Sequence, residues 1–197
     1  SWTEASGDPD FQIDESRPSN ATNVSIRAHA GANNEYLETD ERAWFNRNDL
    51  YFSWSAGSDS QGVKGYCLYL GTDSAGDPAT QKGVLGSSPV STTGSTCEFI
   101  TDQTSIDFSN SAYRGDGWLS SSDEPYYFKV KTIDVANNTY VGMDDTNYVS
   151  FLFDNTAPEN VTAVSAPGGS FSNPGDMYFN WPTGSGQGGS DTHSGVL

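Results

Sequence analysis

NDLYFSWSAGSDSQGVKGYCLYL, residues 48–70, is the stretch whose reading decides the fold. Leu50, Phe52 and Trp54 alternate with polar residues in its first half, and Tyr66, Leu68 and Leu70 alternate in its second. Period-two alternation in runs rich in aromatic and branched residues predicts two strands, each with one buried face. The Gly, Ser and Asp residues between the runs predict a turn. The first run then returns: Asp49-Leu50-Tyr51-Phe52-Ser53-Trp54 is matched by Asp176-Met177-Tyr178-Phe179-Asn180-Trp181. Each copy is followed by a polar loop and a Gly-Val pair, Gly62-Val63 and Gly195-Val196. The chain carries an internal repeat.

A second match sets the period. Phe11 to Pro18 (FQIDESRP) aligns with Phe151 to Pro158 (FLFDNTAP) at an offset of 140, and Val24-Ser25 aligns with Val164-Ser165 at the same offset. At the Trp strand the offset falls to 127 (49 to 176), so the first copy holds 13 extra residues, around Asn33 to Asn46. Three pieces follow. Residues 1–15 are expected to be the end of a preceding repeat or an N-terminal strand, 16–155 a complete repeat, and 156–197 the first strands of an incomplete next one.

Further strands are expected at 23–28, 97–100, 105–108, 126–134, 139–141 and 148–153, with an edge strand near Val84-Leu85. In Tyr126 to Asp134, Tyr126, Phe128, Val130 and Thr132 are assigned to the core, and Lys129 and Lys131 to solvent. About seven strands without helical periodicity predict an all-β, two-sheet antiparallel sandwich with long loop inserts, in tandem repeats. With 34% hydrophobic residues among 197, the chain can bury one good core and part of a second. No apolar run approaches the ~20 residues of a membrane-spanning helix.

The net charge of −17 speaks against nucleic acid and anionic lipid as partners, both of which need a basic footprint, and is compatible with cation binding. Two cysteines, Cys67 and Cys97, flank a Gly/Ser-rich excursion. An even count of this kind fits a disulfide formed in an oxidising compartment; two unpaired thiols are the alternative.

Catalytic signals are absent. His29 and His193 fall in different repeats, and no nucleophile elbow, metalloprotease helix or phosphate loop occurs. The chain is therefore expected not to be an enzyme. For a metal, Ca²⁺ is the best candidate. Asp134 and Asn137 in one turn, Asp144-Asp145, and Asp154 in the linker offer hard oxygen ligands, although simple turn-forming roles explain them too. Trp44, Tyr113 and Trp118 in the inserts could stack on sugar rings if exposed, or tuck under the sandwich. Asn20, Asn23, Asn137 and Asn160 open Asn-x-Ser/Thr sites that a glycosylating host could modify. Arg114-Gly115-Asp116 spells an integrin-recognition tripeptide, which a Gly- and Asp-rich chain also produces by chance.

Leu50-x-Phe-x-Trp54, Gly62-Val63-x-x-Tyr66-x-Leu68, and Tyr126-x-Phe-x-Val-x-Thr132 with its Asp/Asn turn resemble a fibronectin type III domain. With the Asp154-Asn155-Thr156-Ala157-Pro158 linker, they resemble the tandem fibronectin-type or Ig-like repeats of large bacterial surface proteins. The earlier linker copy, Asp14-Glu15-Ser16-Arg17-Pro18, is degenerate. A repeat of 140 residues also exceeds the ~100 of a common Ig-like sandwich. The resemblance implies a structural repeat of a secreted or cell-surface stalk, filament or coat. Its partners would be neighbouring repeats, or other copies that complete the last repeat by strand addition. Two other functions are open: an adhesin or carbohydrate-binding repeat contacting surface glycans, and an accessory domain of a secreted glycan-degrading enzyme.

Overall fold

In a computed structural model, residues 13–32, 36–37 (backbone only), 43–142, 147–160 and 191 are described. Nine strands lie among them: β1 (Thr22–Arg27), β2 (Tyr36–Leu37), β3 (Trp44–Phe45), β4 (Tyr51–Ser55), β5 (Val63–Gly71), β6 (Ile100–Thr101), β7 (Ser105–Asp107), β8 (Ser122–Asp134) and β9 (Tyr148–Phe153). One sheet has the order β2-β1-β4-β7 and the other β3-β9-β8-β5-β6. A single 3-10 turn, Ser111–Tyr113, is the only helical element among the described residues. The residues 1–12 and 161–190, with Phe179 and Trp181, lie outside the described ones, as do Asp144 and Asp145.

The alternating apolar residues form the core between the sheets. From β4 come Phe52 and Trp54, from β5 Tyr66, Leu68 and Leu70, from β8 Tyr126, Phe128 and Val130, and from β9 Val149, Phe151 and Phe153. Phe52 stacks on Phe128 with ring centroids 4.0 Å apart and meets Phe108 edge-on at 5.7 Å. Full burial of each such ring contributes roughly 1.5–3 kcal/mol through the hydrophobic effect. β8 begins at Ser122, earlier than expected, and Pro125, which cannot donate to a ladder, sits where its register with β9 shifts between Ser122 and Tyr126.

Several expectations need correction. The two sheets are not wholly antiparallel: β3, from the insert, adds to β9 in parallel, with Trp44 opposite Leu152 and Phe45 opposite Phe153. Residues 139–141 form no strand; Thr139 makes only an isolated bridge to Ile133. Val84-Leu85 is likewise no edge strand, although Leu85 bridges Arg114.

The largest departure concerns the outer face of the five-stranded sheet. Lys129 and Lys131 are only 4% and 6% exposed. The excursion after β5 folds back over them. Lys129 Nζ donates to the carbonyls of Ser74 (2.6 Å) and Gly76 (3.1 Å), and Lys131 Nζ pairs with both carboxylate oxygens of Asp77 at 2.8–2.9 Å. Tyr69 and Tyr127 flank the Lys129 ammonium at 5.8 and 5.7 Å from their ring centroids. The excursion is tied down by the Cys67–Cys97 disulfide, around which Ile100, Ile133 and Val90 form a second apolar cluster. Close approach is built in at Gly76, where a Cβ would lie 2.3 Å from the Tyr69 ring.

Candidate functional site

Two copies of the linker motif sit at the two ends of β8. Asp154 follows Phe153, which pairs with Ser122 at the start of that strand. Asp14 lies at its other end, where Asn138 Nδ2 donates to the Asp14 carbonyl (3.0 Å) and to Asp134 Oδ2 (2.9 Å). Thirteen strand residues separate the two poles by roughly 40 Å. The local turn is the same in both copies: Asp14 Oδ1 accepts from the Ser16 amide (2.9 Å), and Asp154 Oδ1 from the Thr156 amide (2.8 Å).

At the entry pole three carboxylates converge. Asp14, Asp59 and Asp134 each present an oxygen within 4.8 Å of the other two. Each is held by its own backbone. Asp59, in the β4–β5 turn, accepts from the amides of Gln61 (2.8 Å) and Gly62 (3.2 Å). Asp134, ending β8 and fully buried, accepts from the Asn138 amide at 2.8 Å. That turn closes through Asn137, which adopts φ +70° in the left-handed region Asn tolerates. The Asp14 Oδ2 is closed off from solvent and accepts no hydrogen bond. Lys64 and Arg17 reach this pole but contact the Asn137 side chain (2.6 Å) and the Thr139 carbonyl (3.4 Å). No described basic residue forms an ion pair with the three acids. Exposed Ile13 and Val135 border a depression of about 480 Å³ beside them.

Of the residues proposed for a metal, Asp134 and Asn137 lie at this pole and Asp154 at the other, so these do not share one ion. Asp144 and Asp145 fall outside the described residues. Sequence reasoning passed over Asp14 and Asp59 as ligands, because acids in Gly/Ser loops read as turn formers. The signal that could have found Asp14 was the sequence match of residues 11–18 to 151–158, which aligns it with Asp154.

At the exit pole, Trp44, Phe45, Asn46, Asp154, Thr156 and Asp191 line a cavity of about 500 Å³. Trp44 is 39% exposed there. Tyr113 and Trp118 are partly buried against the core, Tyr113 edge-on to Phe99 (6.2 Å) and Trp118 beside Phe108 (4.9 Å). Arg114-Gly115-Asp116 runs beside the Val84–Gly86 segment, with the Gly115 amide bonded to the Val84 carbonyl at 2.9 Å. Among the Asn-x-Ser/Thr positions, Asn23, Asn137 and Asn160 are exposed. Asn20 is half-buried and its side-chain oxygen accepts from the Thr132 amide at 3.2 Å.

On the outer face, burial works against the Asp77 carboxylate, but the hydrogen-bonded Lys131 ammonium prevails and holds its pKa below the ordinary range. Burial pushes the Lys129 pKa down, against the attraction of Asp73 and Asp77.

No protein-family model matches the chain, and no curated protein matches it. Among solved structures, a match is found to an alpha-L-rhamnosidase from Dictyoglumus thermophilum, with 13% identity and a TM-score of 0.40. It covers 81% of this chain and 16% of that one. Taken together, the described residues make a β-rich fold of two facing sheets, closed by a disulfide of the kind oxidising compartments permit, and no described helix is long and apolar enough to cross a membrane.

Proposed function

We propose that the chain is a non-catalytic spacer segment of a secreted or cell-surface protein built from tandem fibronectin type III-like sandwiches. The observation that carries this reading is the placement of the two linker copies. The chain enters at Asp14 and leaves at Asp154, at opposite ends of the longest strand, so successive units would extend head to tail. Leu50, Phe52, Trp54, Tyr66, Leu68, Tyr126 and Phe128, which carry the resemblance, all join one core, and this supports the sandwich type. The disulfide and the net charge of −17 support an extracellular setting, where mutual repulsion keeps units soluble and apart.

An in-frame duplication of residues 14–153 tests the reading. Small-angle scattering should show a monomer whose maximum dimension grows by roughly 40 Å, one strand length, with the added unit. An unchanged dimension, with the two units folded side by side, would overturn it. The carbohydrate-binding alternative retains Trp44 as its exposed ring.

A further inference from the structure

We propose that the cavity at the exit pole binds a neutral, hexose-type glycan, with the Trp44 ring as its apolar wall and the side-chain amides of Asn46 and Asn155 beside it. The ring is the first observation. Among the described aromatic residues only Trp44 is exposed; Trp54 is buried, and Trp118 is half-buried beside Phe108. The next residue, Phe45, turns into the core and meets Phe151 edge-on at 5.8 Å, so strand alternation sends Trp44 to the opposite face of β3. The backbone on either side of it is fixed. The Leu152 amide donates to the Ala43 carbonyl (3.0 Å) and the Asp154 amide to the Phe45 carbonyl (2.9 Å). The indole is thus presented from a bonded strand, with little ordering left to pay on binding.

The second observation is what surrounds the ring. The cavity of about 500 Å³ falls within the span of about 300–1,000 Å³ usual for small-molecule sites. Asn46 is exposed and makes no side-chain hydrogen bond among the described residues. Asn155 Oδ1 accepts from Ser121 Oγ (2.9 Å), and the Asn155 backbone amide donates back to that hydroxyl (2.9 Å). This clamp leaves the Asn155 Nδ2 as a donor. One aromatic wall beside groups that donate and accept suits a pyranose, whose C–H face covers a ring while its hydroxyls reach amides. A wholly apolar ligand would strip water from those amides without replacing their hydrogen bonds.

Charge narrows the ligand. Asp154 and Asp191 also line the cavity, and no basic residue is among its lining residues. A uronate, a sialate or a sugar phosphate would meet like charge there, on a chain whose net charge is −17. A neutral glycan meets no such repulsion.

The site does not rest on the spacer reading, and its readouts are separate from chain length. The whole chain is titrated with neutral oligosaccharides of glucose, mannose, galactose and N-acetylglucosamine, and with oligogalacturonate, while heat and Trp emission are followed. Saturable binding of at least one neutral oligosaccharide, with a change in emission, is expected, and none of oligogalacturonate. Trp44→Ala should weaken that binding about tenfold or more, and Trp44→Phe, which keeps a ring, should retain most of it but lose the emission change. Asn46→Ala should weaken it less, by about threefold. The site is overturned if no neutral oligosaccharide binds saturably, if oligogalacturonate binds as tightly, or if Trp44→Ala binds like the parent chain. Should Trp44→Ala fail to fold, Trp44→Phe decides: an emission change that survives in it places the ligand elsewhere.

Discussion

The two faces of the five-stranded sheet are buried by different means. Toward the other sheet, Phe128, Val130, Leu68 and Phe151 meet a second row of apolar side chains, and the rings of Phe52 and Phe108 close the gap. Away from it, Lys129, Lys131, Tyr69 and Cys67 are covered by a Gly- and Ser-rich excursion whose contacts are carbonyls, a carboxylate and one disulfide. The inner face is held by area removed from water and needs no particular partner for each residue. The outer face is held by specific pairings, each of which a single change can remove. The difference predicts cooperative loss on one side and local opening on the other.

The largest effect should come from the inner face. Phe128→Ala removes a ring in contact with Phe52, Trp54 and Phe108, and urea denaturation should show a loss of about 3–5 kcal/mol in one transition. Next comes the tether. Replacing both Cys67 and Cys97 by Ala releases a loop spanning 30 residues and should cost about 3–4 kcal/mol on the chain-entropy model. Hydrogen exchange should then show amides of residues 72–99 exchanging early while β8 stays protected until global unfolding. If β8 exchanges together with the excursion, the two faces are one cooperative unit and the contrast fails.

Smaller still is Lys129→Met, which leaves the Ser74 and Gly76 carbonyls without their donor. A loss of about 1–2 kcal/mol is expected in the same denaturation experiment. Asp77 gives the smallest effect, because it is 43% exposed and solvent screens its pair with Lys131. Its pKa is depressed in the folded state, so its contribution is complete above the unfolded value of about 3.9 and disappears as pH falls below it. Asp77→Asn should flatten the parent chain's decline in stability below about pH 4, measured as Tm against pH.

This contrast also marks how far the fold could be read from residues alone. Period-two alternation exposes a core whose partners are simply apolar, so it places Phe52, Leu68 and Phe128 in the interior whatever they touch. The same rule sent Lys129 and Lys131 to solvent. Alternation reports which face a side chain takes, and says nothing of what later covers that face. The covering segment, Gly71 to Ser95, has no periodicity to read; its one legible signal was the cysteine pair. Lysine hides the event further, because its stem packs apolar surface while its ammonium finds carbonyls at the edge. At the entry pole the same limit applied. Asp134 was singled out from its own turn, but Asp14 and Asp59 reach it only through tertiary folding, from 120 and 75 residues away in the chain.

Tension applied at Asp14 and Asp154 would meet the two-sheet fold in a particular direction. β1 starts at the entry pole and β9 ends at the exit pole, and each runs along the long axis, hydrogen-bonded to β4 and β8 respectively. A pull at Asp14 and Asp154 therefore slides these strands along their neighbours and strains the rungs of each ladder together, instead of peeling them one at a time. β3, laid parallel on the outer edge of β9, adds further rungs where the pulled strand leaves. The geometry is that of a shear joint, whose resistance to extension grows with the number of rungs sharing the force.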